Sequence, residues 1–116
     1  MPSSVITNGT RAAAAAGLTS LITHWGVVDT AGAAIGSRVA NTAVIDGTYT
    51  VRPSADLNIP VPAGATVGGV RAYDAATGGT DRGGWNYAAG ETPGRETFNG
   101  AGVYQVTAAS SGFQVP

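Results

Sequence analysis

The sequence predicts a mainly β fold: a single antiparallel β-sandwich of seven or eight short strands, with one N-terminal α-helix packed on it. Three observations carry that reading. Apolar residues follow helical spacing only before Trp25 and alternate with period two after it. Turn signals recur at spacings of roughly 8–12 residues. No segment after the first reads as a helix, whereas a βαβ fold needs helices between its strands. The 116 residues suit one domain, 1–116, which buries roughly two-thirds of its unfolded surface.

The helix is expected over residues 10–24. Asn8 or Thr10 supplies a side-chain oxygen to cap its free amides, and the run Ala12 to Ala16 has the highest helical propensity. Ala14, Leu18, Leu21 and Ile22 form one narrow apolar stripe. Gly17 weakens the helix by about 1 kcal/mol relative to Ala, and so short a helix is marginal alone. It is therefore expected to dock on the sheet that follows.

The sandwich is expected over about 24–116. His24 to Val28 reads as a strand and Thr30 to Gly36 as a loop. Ala43-Val44-Ile45 and Thr48 to Arg52 flank Asp46-Gly47, a strong hairpin signal. Tyr49 and Val51 fall on one face, Thr48, Thr50 and Arg52 on the other. In Asp56 to Val61, the side chains of Leu57, Ile59 and Val61 point inward. Pro60 has no N–H for a ladder, so this strand is expected at an edge or paired on one side only. Val61-Pro62-Ala63-Gly64 fits a type I turn. Val67 to Asp74 and Asp81 to Ala88 are further strands, the second carrying Trp85 and Tyr87 on one face. Gly90 to Gly94 is turn-rich and Asn99-Gly100 starts another turn. Val103 to Thr107 and Phe113 to Val115 complete the set.

Composition excludes several chemistries. Charged residues are 11% of the chain, against about a quarter in average domains. Without Cys there is neither a disulfide nor a thiolate metal site. All six basic residues are Arg, so a Walker-type loop and Schiff-base chemistry, which need Lys, are absent. A formal charge of −1 provides no electrostatic footprint for nucleic acid or an anionic membrane. The Ala12 to Ala16 run is far shorter than the roughly 20 apolar residues of a membrane span. Met1-Pro2-Ser3-Ser4 lacks the basic start of a secretory signal, so synthesis in the cytoplasm is expected. Asn8-Gly9-Thr10 matches a glycosylation acceptor, but a turn into the helix cap is the simpler reading.

No catalytic, cofactor-binding or metal-binding residues are expected. His24, the single histidine, lacks a nucleophile elbow and an orienting carboxylate at a recognisable spacing. The carboxylates Asp29, Asp46, Asp56, Asp74, Asp81, Glu91 and Glu96 stand singly, mostly beside glycine or at strand ends, where turn chemistry places them. Asp74 and Asp81 flank the Thr77-Gly78-Gly79 turn, and the turn role outweighs a hard-cation site. Arg71, Tyr73, Arg82, Trp85, Tyr87 and Arg95 lie in neighbouring elements. Interleaved aromatic and basic residues suit single-strand nucleic-acid binding, but the net positive charge that drives it is missing. As Arg and aromatic residues are enriched at protein interfaces, these six are the candidate interaction residues.

Four runs carry a resemblance: Leu18-Thr19-Ser20-Leu21-Ile22-Thr23-His24-Trp25-Gly26-Val27, Asp56 to Val67, Tyr73 to Thr80, and Glu96 to Thr107. In order and spacing they resemble small tail-associated structural proteins of siphophages that infect high-GC actinobacteria. The resemblance covers most of residues 18–107. Where that family has a Ser-Tyr-Ala-Arg stretch and a Trp-Gly strand, this chain reads Gly36-Ser37-Arg38-Val39-Ala40-Asn41 and Ile45 to Thr50. The resemblance implies a non-enzymatic virion protein, a minor tail protein at the tail tip or fibre, acting in assembly and host-surface contact. The expected partners are copies of itself, as a homo-oligomer such as a trimer that covers the edge strands of so small a domain, other virion proteins, and a host cell-wall glycan. A capsid decoration protein on the phage head is the alternative. A carbohydrate-binding module, with Trp85, Tyr87 and Tyr73 as a stacking platform, is a further one.

Overall fold

The computed structural model describes residues 7–47, 49–91 and 94–114. Met1 to Ser4, Thr48, Val115 and the centre of the Gly90 to Gly94 loop, all placed by the sequence reading, lie outside the described residues. One helix, α1 (Asn8–Leu21), precedes the strands β1 (His24–Val28), β2 (Ala34–Ala40), β3 (Ala43–Asp46), β4 (Thr50–Pro53) and β5 (Leu57–Val61). There follow β6 (Thr66–Val67), β7 (Gly69–Tyr73), β8 (Asp81–Asn86), β9 (Glu96–Thr97), β10 (Gly102–Val106) and β11 (Phe113–Gln114). A 3-10 turn, Ala108–Ser110, separates the last two. The fold is mainly β with one helix, and every strand pairing is antiparallel. More strands form than the sequence predicted, divided among four small sheets: β2-β1-β7-β8, β11-β4-β3, β10-β5 and β6-β9.

The helix begins and ends earlier than its alanine run suggests. Thr7, rather than Asn8 or Thr10, is the N-cap; its Oγ1 accepts the Thr10 N–H at 3.2 Å. The β-branched pair Ile22-Thr23 leaves the helix for extended backbone, and the Thr23 N–H joins the sheet by donating to the Tyr73 carbonyl at 3.0 Å. α1 packs on β3 and β4, so its contact face is Ala15, Leu18 and Ile22. Ala14 faces solvent and Leu21 is 44% exposed. Arg11, one turn before Ala15 on the same face, lies 4.0 Å above the Tyr49 ring.

β2 forms where a loop was expected through Gly36. Gly36, Ser37 and Arg38 all stand opposite Gly26, because the register shifts between Trp25↔Val39 and Val27↔Ile35. This bulge breaks the period-two pattern that marks a strand in sequence. The hairpin at Asp46-Gly47 forms with a longer turn, Asp46 pairing with Thr50. The proline turn falls one residue later than expected. The Ala65 N–H donates to the Pro62 carbonyl at 3.4 Å, and Gly64, third in the turn, has φ +82°. That is type II chemistry, displaced because Val61 remains in β5 opposite Gly102. The stretch Val67 to Asp74 divides into β6 and β7 at Gly68.

β5 buries Leu57, Ile59 and Val61 and exposes Asn58 and Pro60, and it is hydrogen-bonded to one neighbour, β10. Its other side lies against β2 without pairing. The Pro60 carbonyl faces Gly36, where a Cβ would stand 2.3 Å from that oxygen. Both backbone groups of a residue in an antiparallel strand face the same way. The donor that Pro60 lacks is therefore missing from the β2 side, and the seam stays unzipped.

Side chains from these sheets and the helix meet in one core. Trp25, fully buried, is its centre: its ring lies 6.1 Å from Trp85 and 6.5 Å edge-on from Phe113. Trp25 stands beside Ala72, and Val27 beside Val70, on the inner face of the four-stranded sheet.

Candidate functional site

The alternation that turns Trp25, Val27, Val70 and Ala72 inward turns Gly26, Arg71 and Tyr73 outward. This outer face of β2-β1-β7-β8 carries a polar network around Arg38, Arg71, Asp74 and Arg82. Gly26 is the floor: a Cβ there would stand 3.3 Å from both the Tyr73 ring and the Arg38 stem. Without one, the Tyr73 ring lies across β1, and the β2 bulge sets the Arg38 guanidinium 3.5 Å above the ring centroid. Arg38 also donates to the carbonyls of Ala75 and Gly78, each at 2.8 Å, holding the β7–β8 loop to the sheet.

Asp74 locks the same loop. It accepts from the Thr80 N–H at 2.8 Å and from both Nε and Nη2 of Arg82, at 3.2 and 2.8 Å. The Thr80 amide first, and the Arg82 fork second, hold its carboxyl below the usual carboxylate range. Arg71 donates to the carbonyls of Val70 and Trp85 at 3.0 and 2.9 Å and to Asn86 Oδ1 at 2.5 Å, and lies 3.7 Å from Asp81. Burial, and then the Asp81 charge, push the Tyr73 hydroxyl upward.

The six candidate interaction residues do not form one surface. Arg71, Tyr87 and Arg95 line a polar cleft of about 380 Å³ with Thr30, Gly68 and Asn86. Tyr73 is 6% exposed and lies under Arg38; Arg82 is paired with Asp74. Trp85 and Tyr87 turn to the core, the first on Trp25 and the second 6.3 Å from Tyr104. The three rings of the suggested sugar platform thus divide between two faces of the sheet. Arg95 Nε donates to the Tyr87 carbonyl at 3.1 Å. Arg95 also lines a second cleft of about 380 Å³, with Glu91, Gly94, Glu96 and Val103 through Gln105.

Most of the other charged groups are tied into the fold. Asp29 accepts the amides of Ala31 and Ala33, Asp56 that of Ala108, Asp81 that of Gly83 and Glu91 that of Ala88. Asp46 lies 3.3 Å from Arg52. His24 Nδ1 is 2.8 Å from the Thr23 hydroxyl, with no carboxylate bonded to the ring among the described residues. No three His, Cys, Asp or Glu side chains come together as a metal site among the described residues. The Tyr104 hydroxyl donates to the Gly94 carbonyl at 2.8 Å; burial first, and Tyr87 beside it, raise its pKa well above the ordinary tyrosine value.

Sequence reasoning missed Arg38, because the bulge disguised its strand, and the outer edge of β10. The signal for that edge was present in the uncharged run Val103-Tyr104-Gln105-Val106, whose exposure alternates residue by residue. Comparison with family models, with curated proteins and with solved structures gave no match to this chain.

Proposed function

We propose that this chain is a non-enzymatic structural protein of a bacteriophage virion, a minor tail protein at the tail tip or fibre that works by holding a shape and joining neighbours. One observation carries the reading. Each of its six arginines makes an intramolecular contact, and six of the seven carboxylates fix a turn, a loop or a strand pair. Charged side chains that in an enzyme face a substrate here fix loop conformation, which suits a building block. The resemblance to siphophage tail-associated proteins, which covers most of residues 18–107, supplies the setting. Its partners are copies of itself and adjoining virion proteins, with host-surface contact following from a place at the tail tip.

Quantitative mass spectrometry of purified virions tests this. A handful of copies per particle is expected. Hundreds of copies would move the protein to the head as a decoration protein, and absence from the particle would overturn a virion role.

A further inference from the structure

We propose that β10 is the surface through which a second copy of this chain joins the fold, by antiparallel pairing of β10 with β10 about a two-fold axis. This deepens the self-association proposed above and rests on that reading for its setting in a virion. The pairing itself is argued from strand geometry.

β10 pairs with β5 along one edge, and no strand pairs with its other edge among the described residues. Pro60 decides which backbone groups face that open edge. It stands opposite Val103, and its carbonyl points away from β10 toward Gly36. In an antiparallel ladder, hydrogen-bonded and non-hydrogen-bonded pairs alternate. Val103↔Pro60 and Gln105↔Asn58 are therefore the non-bonded pairs, while Gly102, Tyr104 and Val106 bond to β5. The N–H and C=O groups of Val103 and Gln105 point out of the open edge. With Val103 set against Gln105 of a second copy, and Gln105 against its Val103, all four groups on each strand are satisfied about an axis through Tyr104.

The strand carries none of the features by which edges repel such additions. Gly102–Val106 has no charge and no proline, and its register with β5 is regular. Val103 is 55% exposed, an exposed large apolar side chain at the centre of the edge. Of the other sheet margins, β5 lies against β2, β11 against β8, and α1 on β3 and β4, while β6 and β9 are two residues each. A second copy suits this edge better than an unrelated strand because the pattern matches itself when reversed. The cleft beside it has both signs on its rim, Glu91 and Glu96 with Arg95. A two-fold mate brings the same mixed rim, and a chain of formal charge −1 meets little net repulsion from its copy.

Sedimentation equilibrium of the full chain, up to millimolar protein, is the test. A concentration-dependent monomer–dimer equilibrium is expected. Gln105→Pro removes an outward donor and leaves the bonds to β5 in place; Val103→Lys sets two like charges diagonally across the axis. Each is expected to weaken dimerisation by about tenfold or more, with an unchanged circular dichroism spectrum. If Gln105→Pro does not fold, Val103→Lys, at an exposed position, decides alone. A parent that stays monomeric throughout, or a dimer that survives either folded variant, overturns the proposal. A chain that dimerises through β10 yet is absent from virions overturns the virion role and leaves the pairing standing.

Discussion

Asp74 accepts hydrogen bonds from a backbone amide and an arginine fork at once, and its carboxyl is held below the ordinary value of 3.8. In the unfolded chain the group takes up its proton at the higher pH. The stability it contributes is therefore complete above that ordinary value and disappears as pH falls through the lower, folded one. The melting temperature of the parent is expected to fall more steeply below pH 3.8 than that of Asp74→Asn, and the variant to melt lower at neutral pH. Thermal melts across an acid series check this; parallel curves would remove Asp74 from the account. The turn role of Asp74 was legible in the sequence, from its place before the Thr77-Gly78-Gly79 run. Its partner was not, since Arg82 meets it only through the register irregularity between β7 and β8. The Arg38–Tyr73 stack was equally hidden, because it needs both the bulge in β2 and a glycine at Gly26 on the neighbouring strand.

At the scale of elements, legibility followed regularity. β1 and β5 stand where period-two alternation put them, while the helix is shifted by the Thr7 cap and the Ile22-Thr23 exit, and its buried face runs through Ala15 rather than Ala14. Ala15, Leu18 and Ile22 form the face turned to the core, beside β3 and β4. β2 was missed because a bulged strand does not alternate. The same bulge yields a prediction. Gly36 sits at φ +64° with the Pro60 carbonyl where its Cβ would be, so Gly36→Ala is expected to destabilise the fold by about 1–3 kcal/mol. Ser37→Ala, at the exposed next position, is expected to stay within about 0.5 kcal/mol of the parent. Urea denaturation of the pair measures both. Equal midpoints would mean that the β2–β5 seam adapts to the added carbon.

For the whole molecule, the division into four small sheets contrasts with the continuity of the core. The two-stranded sheets β10-β5 and β6-β9 are too small to stand alone, and Ala15 of the helix and residues of β1, β4, β5, β7 and β10 belong to one buried cluster. A single cooperative transition is expected on heating: the near-ultraviolet signal of Trp25 and Trp85 and the far-ultraviolet signal of the strands should be lost together. Separate midpoints would show that one sheet detaches before the rest. The fold class was open to sequence reasoning because it depends on alternation and turn residues. The candidate site was less so, since its members meet through bulges and seams that have no periodic signature. Pro60 shows how far one such local feature reaches. Lacking an amide hydrogen, it suits a non-bonded position opposite β10, the phase that the inward turn of Leu57, Ile59 and Val61 also requires, and every later bond on that strand follows it. A missing proton donor on one strand thus selects, on the next, which residues the molecule turns toward its surroundings.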